Sequence, residues 1–161
     1  MRDKIKILFV CHGNICRSPM AEFVLKKMVK DRGIADCFEI ASAATTTEEI
    51  WGGRGNPVYP PARKVLLSHG IDPAGKYAVL MQRSDYQKYD YLIGMDDENI
   101  CDMRDIAGGD PQHKICRLLD FTGHPRDVAD PWYTRKFDKT WTDVVCGCEG
   151  LLEFLKRKGD L

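Results

Sequence analysis

The sequence predicts an α/β protein built on a mostly parallel sheet with helices on both faces. Three observations carry that prediction. A run of β-forming residues, "KIKILFV" (4–10), gives way within a few residues to "SPMAEFVLKKMVKDRG" (18–33), which has helical length and apolar spacing. The same order, apolar run then helix-period segment, recurs down the chain, and strands alternating with helices make such a covered sheet. At 161 residues with 43% hydrophobic and 30% charged content, the chain is one domain's worth, 1–161, with material for a substantial core.

Taken in order, the first strand ends at Val10. In the helix that follows, Ser18 is placed to cap, Pro19 takes the first helical position and Gly33 stops it. Ala21, Phe23, Val24 and Met28 make its buried stripe; Glu22 lies one residue late for a strict capping box but suits the positive helix start. "CFEIASA" (37–43) reads as a second strand, and "PPARKVLLSHG" (60–70) as a helix opening on Pro60/Pro61 and closing at Gly70. "SDYQKY" (84–89) is a short helix, "YLIGM" (91–95) a buried strand, "DDENICDMRDIAGG" (96–109) a helix stopped by glycines, and "KICRLL" (114–119) a further strand. Trp141, Val144, Val145, Cys148, Leu151, Leu152 and Leu155 recur three and four apart, as one face of a last helix. "GHPRDVADPWYTRKFD" (123–138) is the one long irregular loop, and no repeat, low-complexity tract or linker interrupts the chain.

Composition excludes several functions. Twenty-four basic residues balance twenty-four acidic ones, leaving no global field for nucleic acid or an anionic membrane, so attraction for an anion must be local. The apolar run Ile5–Cys11 is too short for a secretory core or a membrane span, which makes a cytoplasmic location the expectation. Seven cysteines, at 11, 16, 37, 101, 116, 146 and 148, include no C-x-x-C pair, so no metal is expected and the thiols should be free in a reducing compartment. "CGC" (146–148) lies within the last helical pattern and reads as packing.

One stretch is not ordinary. "VCHGNICRSP" (10–19) sets Cys11 and Arg17 six apart between the first strand and the first helix. That is the crevice at the carboxyl ends of strands, where a helix start offers unpaired N–H groups and partial positive charge. Gly13 and Asn14 tolerate unusual backbone angles, which lets successive N–H groups turn inward as an anion nest. Arg17 closes the ring with a bidentate grip on two phosphate oxygens, and Cys11 at its floor has its thiolate stabilised. On the bland alternative, Cys11 and Cys16 are small core residues and Arg17 a surface cation.

"FVCHGNICRSPMAE" resembles the signature of the low-molecular-weight protein tyrosine phosphatases, and "IASAAT" (40–45), "GNPVYPPARKVLLSHGI" (55–71), "IGMDDEN" (93–99) and "DVADPWY" (127–133) follow the family in order. The resemblance implies a flavodoxin-like four-stranded parallel sheet in the order 2-1-3-4. It implies a thiolate Cys11 that forms a phosphocysteine, Arg17 and the amides of His12, Gly13, Asn14, Ile15, Cys16 and Ser18 around the phosphate, and Asp130 as general acid and base. No cofactor or metal is implied. The partners implied are a phosphotyrosine protein or small phosphomonoester, with inorganic phosphate or sulfate also fitting the loop. Asp-Pro occurs at Asp72, Asp110 and Asp130, and each also reads as a turn; only the third is followed by two aromatics in a long loop and only the third matches the family, with Asp127 as its non-catalytic contrast.

Asn14, Ser18, Ser42 and His69 match residues that hold the loop and orient the nucleophile, though Ser18 also reads as a cap and His69 as a helix end. Cys16 matches a cysteine that traps oxidised Cys11 as a disulfide, or is a buried spacer. Trp132 and Tyr133 either wall the cleft or belong to the core; Tyr133 also matches a position that is phosphorylated in relatives. "WGGR" (51–54) departs from the family as an insertion on the opposite rim, where Trp51 offers a stacking surface and Arg54 attracts acidic residues, unless it is a tolerated surface insertion. Three rivals remain. A thioredoxin-coupled arsenate reductase needs two further cysteines six or seven apart, whereas Cys101 and Cys116 are fifteen apart. A protein-arginine phosphatase carries threonine where this chain has Ile15. A non-catalytic phosphate-binding or redox module would not need Cys11, Arg17 and Asp130 together.

Overall fold

The computed structural model describes residues 3–161. Along the chain run β1 (Ile5–Cys11), α1 (Arg17–Asp31), β2 (Phe38–Ala44), β3 (Ile50–Trp51), β4 (Arg54–Gly55), α2 (Pro60–Ser68), α3 (Asp85–Lys88), β5 (Tyr91–Gly94), α4 (Asp97–Ala107), β6 (Ile115–Arg117), α5 (Pro131–Thr134) and α6 (Phe137–Lys158). Four strands form one parallel sheet, β2-β1-β5-β6, which among the sheet strands alone is the 2-1-3-4 order expected. The remaining pair, β3-β4, is a separate antiparallel hairpin.

The two-residue period of β1 decides the layering. Ile7, Phe9 and Cys11 face a core shared with α1, α2 and α6, while Leu8 and Val10 face a second core with Tyr86 of α3 and Ile100 and Met103 of α4. Each such fully buried side chain contributes about 1.5–3 kcal/mol through the apolar area it withdraws from water. Cys11 is the last residue of the strand, so the period that buries Phe9 also fixes which way its sulfur points.

Local signals and tertiary packing part company at three places. Helix α1 starts two residues early, at Arg17 with Cys16 in the cap position, so Ser18 does not cap it. Its buried face is Met20, Ala21, Val24, Leu25 and Val29, with Phe23 and Met28 only half-buried, because the sheet and α6 pack on it from two sides. The strand expected to run to Leu119 stops at Arg117, whose N–H donates to the Asp120 carboxylate and turns Leu118–Phe121 into a 3-10 helix. Within the long loop, Asp130 caps the one-turn helix α5. Of the "CGC" pair, Cys148 is fully buried while Cys146 is exposed.

Helix α6 lies directly on the 118–121 turn because two glycines remove its side chains there. A Cβ at Gly147 would come 2.4 Å from Leu118 Cγ, and one at Gly150 would come 2.4 Å from the backbone oxygen of Phe121. The second clash is with backbone, which cannot rotate away. Gly150→Ala is therefore expected to lower stability by about 1–3 kcal/mol through overpacking, despite the ~1 kcal/mol by which alanine favours a helix. Urea denaturation would show this as a fall in midpoint; an unchanged or raised midpoint would refute the close approach.

Candidate active site

The strand β1 delivers Cys11 to the mouth of the sheet, and residues 12–16 carry the chain into α1. Of the two residues expected to take unusual backbone angles, only Asn14 does so, at φ 59°. Asparagine visits that left-handed region at lower cost than most residues with a Cβ. Gly13 has a different reason to lack a side chain: a Cβ there would sit 3.1 Å from Glu49 Cγ.

Asn14 is 1% exposed and all its side-chain groups are used. Its Nδ2 donates to Ser18 Oγ at 2.8 Å and Ser42 Oγ at 3.0 Å, while its Oδ1 accepts from the Val79 N–H at 3.1 Å. Ser18, freed from capping, brings its Oγ to 3.0 Å from Cys11 Sγ, and its N–H donates to the same sulfur at 3.4 Å. Ser42 donates to Glu22 Oε1 at 2.5 Å. Glu22 is buried and accepts from Lys26 Nζ at 2.6 Å, with Lys76 Nζ at 3.5 Å. Lys76 also donates to the Ser42 carbonyl at 2.9 Å. Burial pulls its pKa below the usual lysine range, and the pairing with Glu22 only partly offsets that.

This polar set corrects one sequence expectation. His69 is exposed at the end of α2 and stacks flat on Trp141, with ring centroids 3.8 Å apart. The charged group beneath the loop is instead Lys76, with Glu22, and the sequence assigned a role there to neither.

Arg17 is 2% exposed. Its Nη1 donates to Asp96 Oδ2 at 2.6 Å and to the Val128 carbonyl at 2.8 Å, and its Nη2 lies 3.6 Å from Asp130 Oδ2. Burial works against its charge, but Cys11, Asp96 and Asp130 outweigh it and leave the guanidinium still harder to deprotonate. Asp96 serves two elements: Oδ1 caps α4 by accepting from the Asn99 N–H, and Oδ2 holds Arg17. In the sequence it reads only as a helix start.

These groups meet at a cavity of about 270 Å³. Cys11, Cys16 and Arg17 line its buried end, and His12, Gly13 and Ile15 complete the loop. Asp130, Trp132 and Tyr133 come from the long loop, and Glu48 and Glu49 from the segment after β2. Asp130 Oδ1 accepts from the Trp132 N–H at 3.0 Å, which leaves Oδ2 toward Arg17. The other Asp-Pro aspartates are turn residues: Asp72 accepts from the Ala74 N–H, and Asp110 from Tyr86 and the 114–115 backbone. Asp127 is an anchor, accepting from the Asp97 N–H and from Arg117.

Trp132 and Tyr133 are 49% and 82% exposed, so they are not core aromatics; Trp132 packs against Tyr59 with centroids 5.0 Å apart. Trp51 is 71% exposed on the β3-β4 hairpin, outside the lining, as is Arg54. The charges that the rim shows the cavity are the carboxylates Glu48 and Glu49, with Glu48 2.8 Å from His12 Nε2. Burial pushes the Cys16 thiol up, with Cys11 and Asp130 adding to the shift, so Cys16 stays protonated. No other cysteine lines the cavity, and among the described residues no cluster of three or more His, Cys, Asp or Glu is arranged for a metal. No described helix is long and apolar enough to cross a membrane.

Asn14→Ala would strip three hydrogen bonds from a buried site and leave a Cβ residue at positive φ. A loss of about 1–3 kcal/mol in stability is expected by chemical denaturation, together with reduced turnover. Wild-type stability and rate in this variant would show that the loop holds its shape without the asparagine.

The family model described as low molecular weight phosphotyrosine protein phosphatase matches residues 6–161. The low molecular weight protein-tyrosine-phosphatase YfkJ of Bacillus subtilis is 36% identical over 159 residues, covering 98% of this chain and 99% of its own length. The crystal structure of that YfkJ superposes with a TM-score of 0.91 at 34% identity, covering 98% of both chains. The low molecular weight protein tyrosine phosphatase of Streptococcus pyogenes superposes at 0.78 and 35% identity, covering 95% of this chain and 92% of that one. With its sheet order, its strand-to-helix loop and a match over nearly its whole length, this chain belongs to the low-molecular-weight protein tyrosine phosphatase family.

Proposed function

We propose that this enzyme hydrolyses phosphotyrosine in proteins, and small aryl phosphates, through a phosphocysteine on Cys11. The observation that carries the reading is the cavity in which the Cys11 sulfur, the buried Arg17 guanidinium and the Asp130 carboxylate converge. The Ser18 hydroxyl lies 3.0 Å from the sulfur and its N–H donates to it, and the start of α1 adds partial positive charge for a bound anion. Nη1 of Arg17 is committed to Asp96 and Val128, so the Nε–Nη2 edge is the one that grips two phosphate oxygens.

In the first step sulfur attacks phosphorus, the P–O bond to the phenol breaks, and protonated Asp130 gives its proton to the departing oxygen. In the second, the Asp130 carboxylate takes a proton from water as that water attacks phosphorus. The S–P bond breaks, inorganic phosphate leaves and the thiolate returns. Arg17 and the loop amides match the charge on the equatorial oxygens, so most of the acceleration is positioning and electrostatics, and neither metal nor cofactor is required. Inorganic phosphate or sulfate would occupy the same place as product or mimic.

The half-exposed Trp132 and exposed Tyr133 offer apolar walls to an aryl ring. Ile15, rather than threonine, supports phosphotyrosine over phosphoarginine. The thiols of Cys11 and Cys16 both open on the cavity, which supports Cys16 as the partner that would trap an oxidised Cys11, a chemistry suited to the reducing cytoplasm.

Asp130→Asn should lower kcat for an aryl phosphate by about 10² to 10⁴, whereas Asp127→Asn, which alters only an anchor, should change it little. Steady-state kinetics of p-nitrophenyl phosphate hydrolysis check this. Equal losses in the two variants, or full activity in Cys11→Ser, would overturn the assignment.

A further inference from the structure

A second depression adjoins the catalytic cavity. This groove, of about 490 Å³, shares Ile15 and Glu49 with the cavity, so those two side chains form a ridge between them. Its volume falls within the ~300–1,000 Å³ usual for binding sites. One wall is the start of α2 with its approach, the other the 73–77 segment. Pro57 pairs with Tyr77 in a β-bridge, and the Ala78 N–H donates to the Asn56 carbonyl at 2.9 Å. Pro57, Pro60 and Pro73 stiffen both walls, so the groove is preformed.

Its chemistry is mixed, and its charged side chains are Glu49, Arg63 and Lys76. Glu49 accepts from Asn56 Nδ2 at 2.6 Å, and Lys76 is committed to Glu22 and the Ser42 carbonyl. Arg63, exposed on α2, has no side-chain hydrogen bond or ion pair among the described residues. Around it, Tyr77 is 55% exposed and Ala74 is open to solvent. The groove thus presents apolar surface with the Glu49 carboxylate at the ridge and, on the α2 wall, one cation outside any ion pair.

We propose that this groove binds one flank of the substrate polypeptide, an extended apolar segment carrying a carboxylate that pairs with Arg63. The proposal rests on the phosphotyrosine reading above and names the substrate class for that same site. A chain leaving the cavity crosses the Ile15–Glu49 ridge directly, so the partner of Arg63 lies within a few residues of the phosphotyrosine. Next to the phosphotyrosine itself, Glu48 and Glu49 disfavour acidic side chains, so the preference depends on position rather than on net charge.

The test uses phosphotyrosine peptides that differ only in Glu or Gln at positions two to five on either side, with p-nitrophenyl phosphate reporting the catalytic cavity alone. Wild type should favour the Glu peptides on one side by about two- to fivefold in kcat/KM, the range of an exposed ion pair. Arg63→Ala should erase that difference. Ala74→Trp, which fills the groove, should lower kcat/KM for every such peptide while p-nitrophenyl phosphate turnover stays at the wild-type value. Normal p-nitrophenyl phosphate turnover without a Glu–Gln difference, or a difference that survives Arg63→Ala, would overturn the groove alone. Wild type that fails to turn over p-nitrophenyl phosphate would bring down the catalytic reading and the groove with it. If Ala74→Trp instead altered the sedimentation coefficient and left peptide turnover intact, the occupant would be a second copy of the chain and the proposal would fall.

Discussion

The Arg17 guanidinium is the constraint on which the rest of this site depends. It is almost wholly buried and gives one nitrogen to Asp96 at the head of α4 and to the Val128 carbonyl, two residues before Asp130. Withdrawing such a charge from water is costly, and leaving it without its partner costs about 3–5 kcal/mol. The structure therefore keeps the arginine paired on one edge and turns the other edge to the cavity. Three separate stretches of chain, the loop after β1, the cap of α4 and the loop that carries Asp130, are brought into register by one side chain. Donors fixed in this way need no reorganisation when negative charge develops, which is the condition under which electrostatic stabilisation is most effective.

Beneath the loop lies a second layer of polarity with its own logic. Asn14 donates to both serines; the Ser18 hydroxyl sits between the Cys11 sulfur and the Ala43 carbonyl, and Ser42 donates its own hydrogen bond to Glu22. Glu22 is a buried carboxylate paired with Lys26 and with the partly buried Lys76, and Lys76 also satisfies the Ser42 carbonyl. A set in which every member is bonded is rigid, whereas a single missing partner would leave an expensive orphan. The left-handed Asn14 is the backbone strain that this network holds in place.

How much of this could be read beforehand follows from how local each signal is. Strands and helices announced themselves through periods of two and 3.6, and the Cys11–Arg17 loop through its place between the first of each. Asp130 stood out by resemblance and by the two aromatics that follow it in a long loop, since Asp72 and Asp110 carry the same dipeptide and the deciding difference lies in where the loop folds. Ser18 looked like a cap because caps are judged from sequence order, but the helix begins at Arg17 and turns the hydroxyl toward sulfur. Lys76 and Asp96 were invisible in their site roles. Lys76 sits in an irregular segment positioned by pairing with residues far away in sequence, and the second oxygen of Asp96 is spoken for by a residue 79 positions distant. On the rim, the hairpin turns Trp51 and Arg54 outward and leaves Glu48 and Glu49 at the cavity, a reversal of charge that only the fold decides.

The most direct measurement is a crystal structure of the wild-type enzyme with orthovanadate, a mimic of the five-coordinate phosphorus. The account predicts vanadium bonded to Cys11 Sγ, its equatorial oxygens held by the loop amides and the Nε–Nη2 edge of Arg17, with Arg17 still on Asp96 and Val128. Vanadate bound elsewhere, or an Arg17 released from Asp96 and turned to solvent, would contradict it.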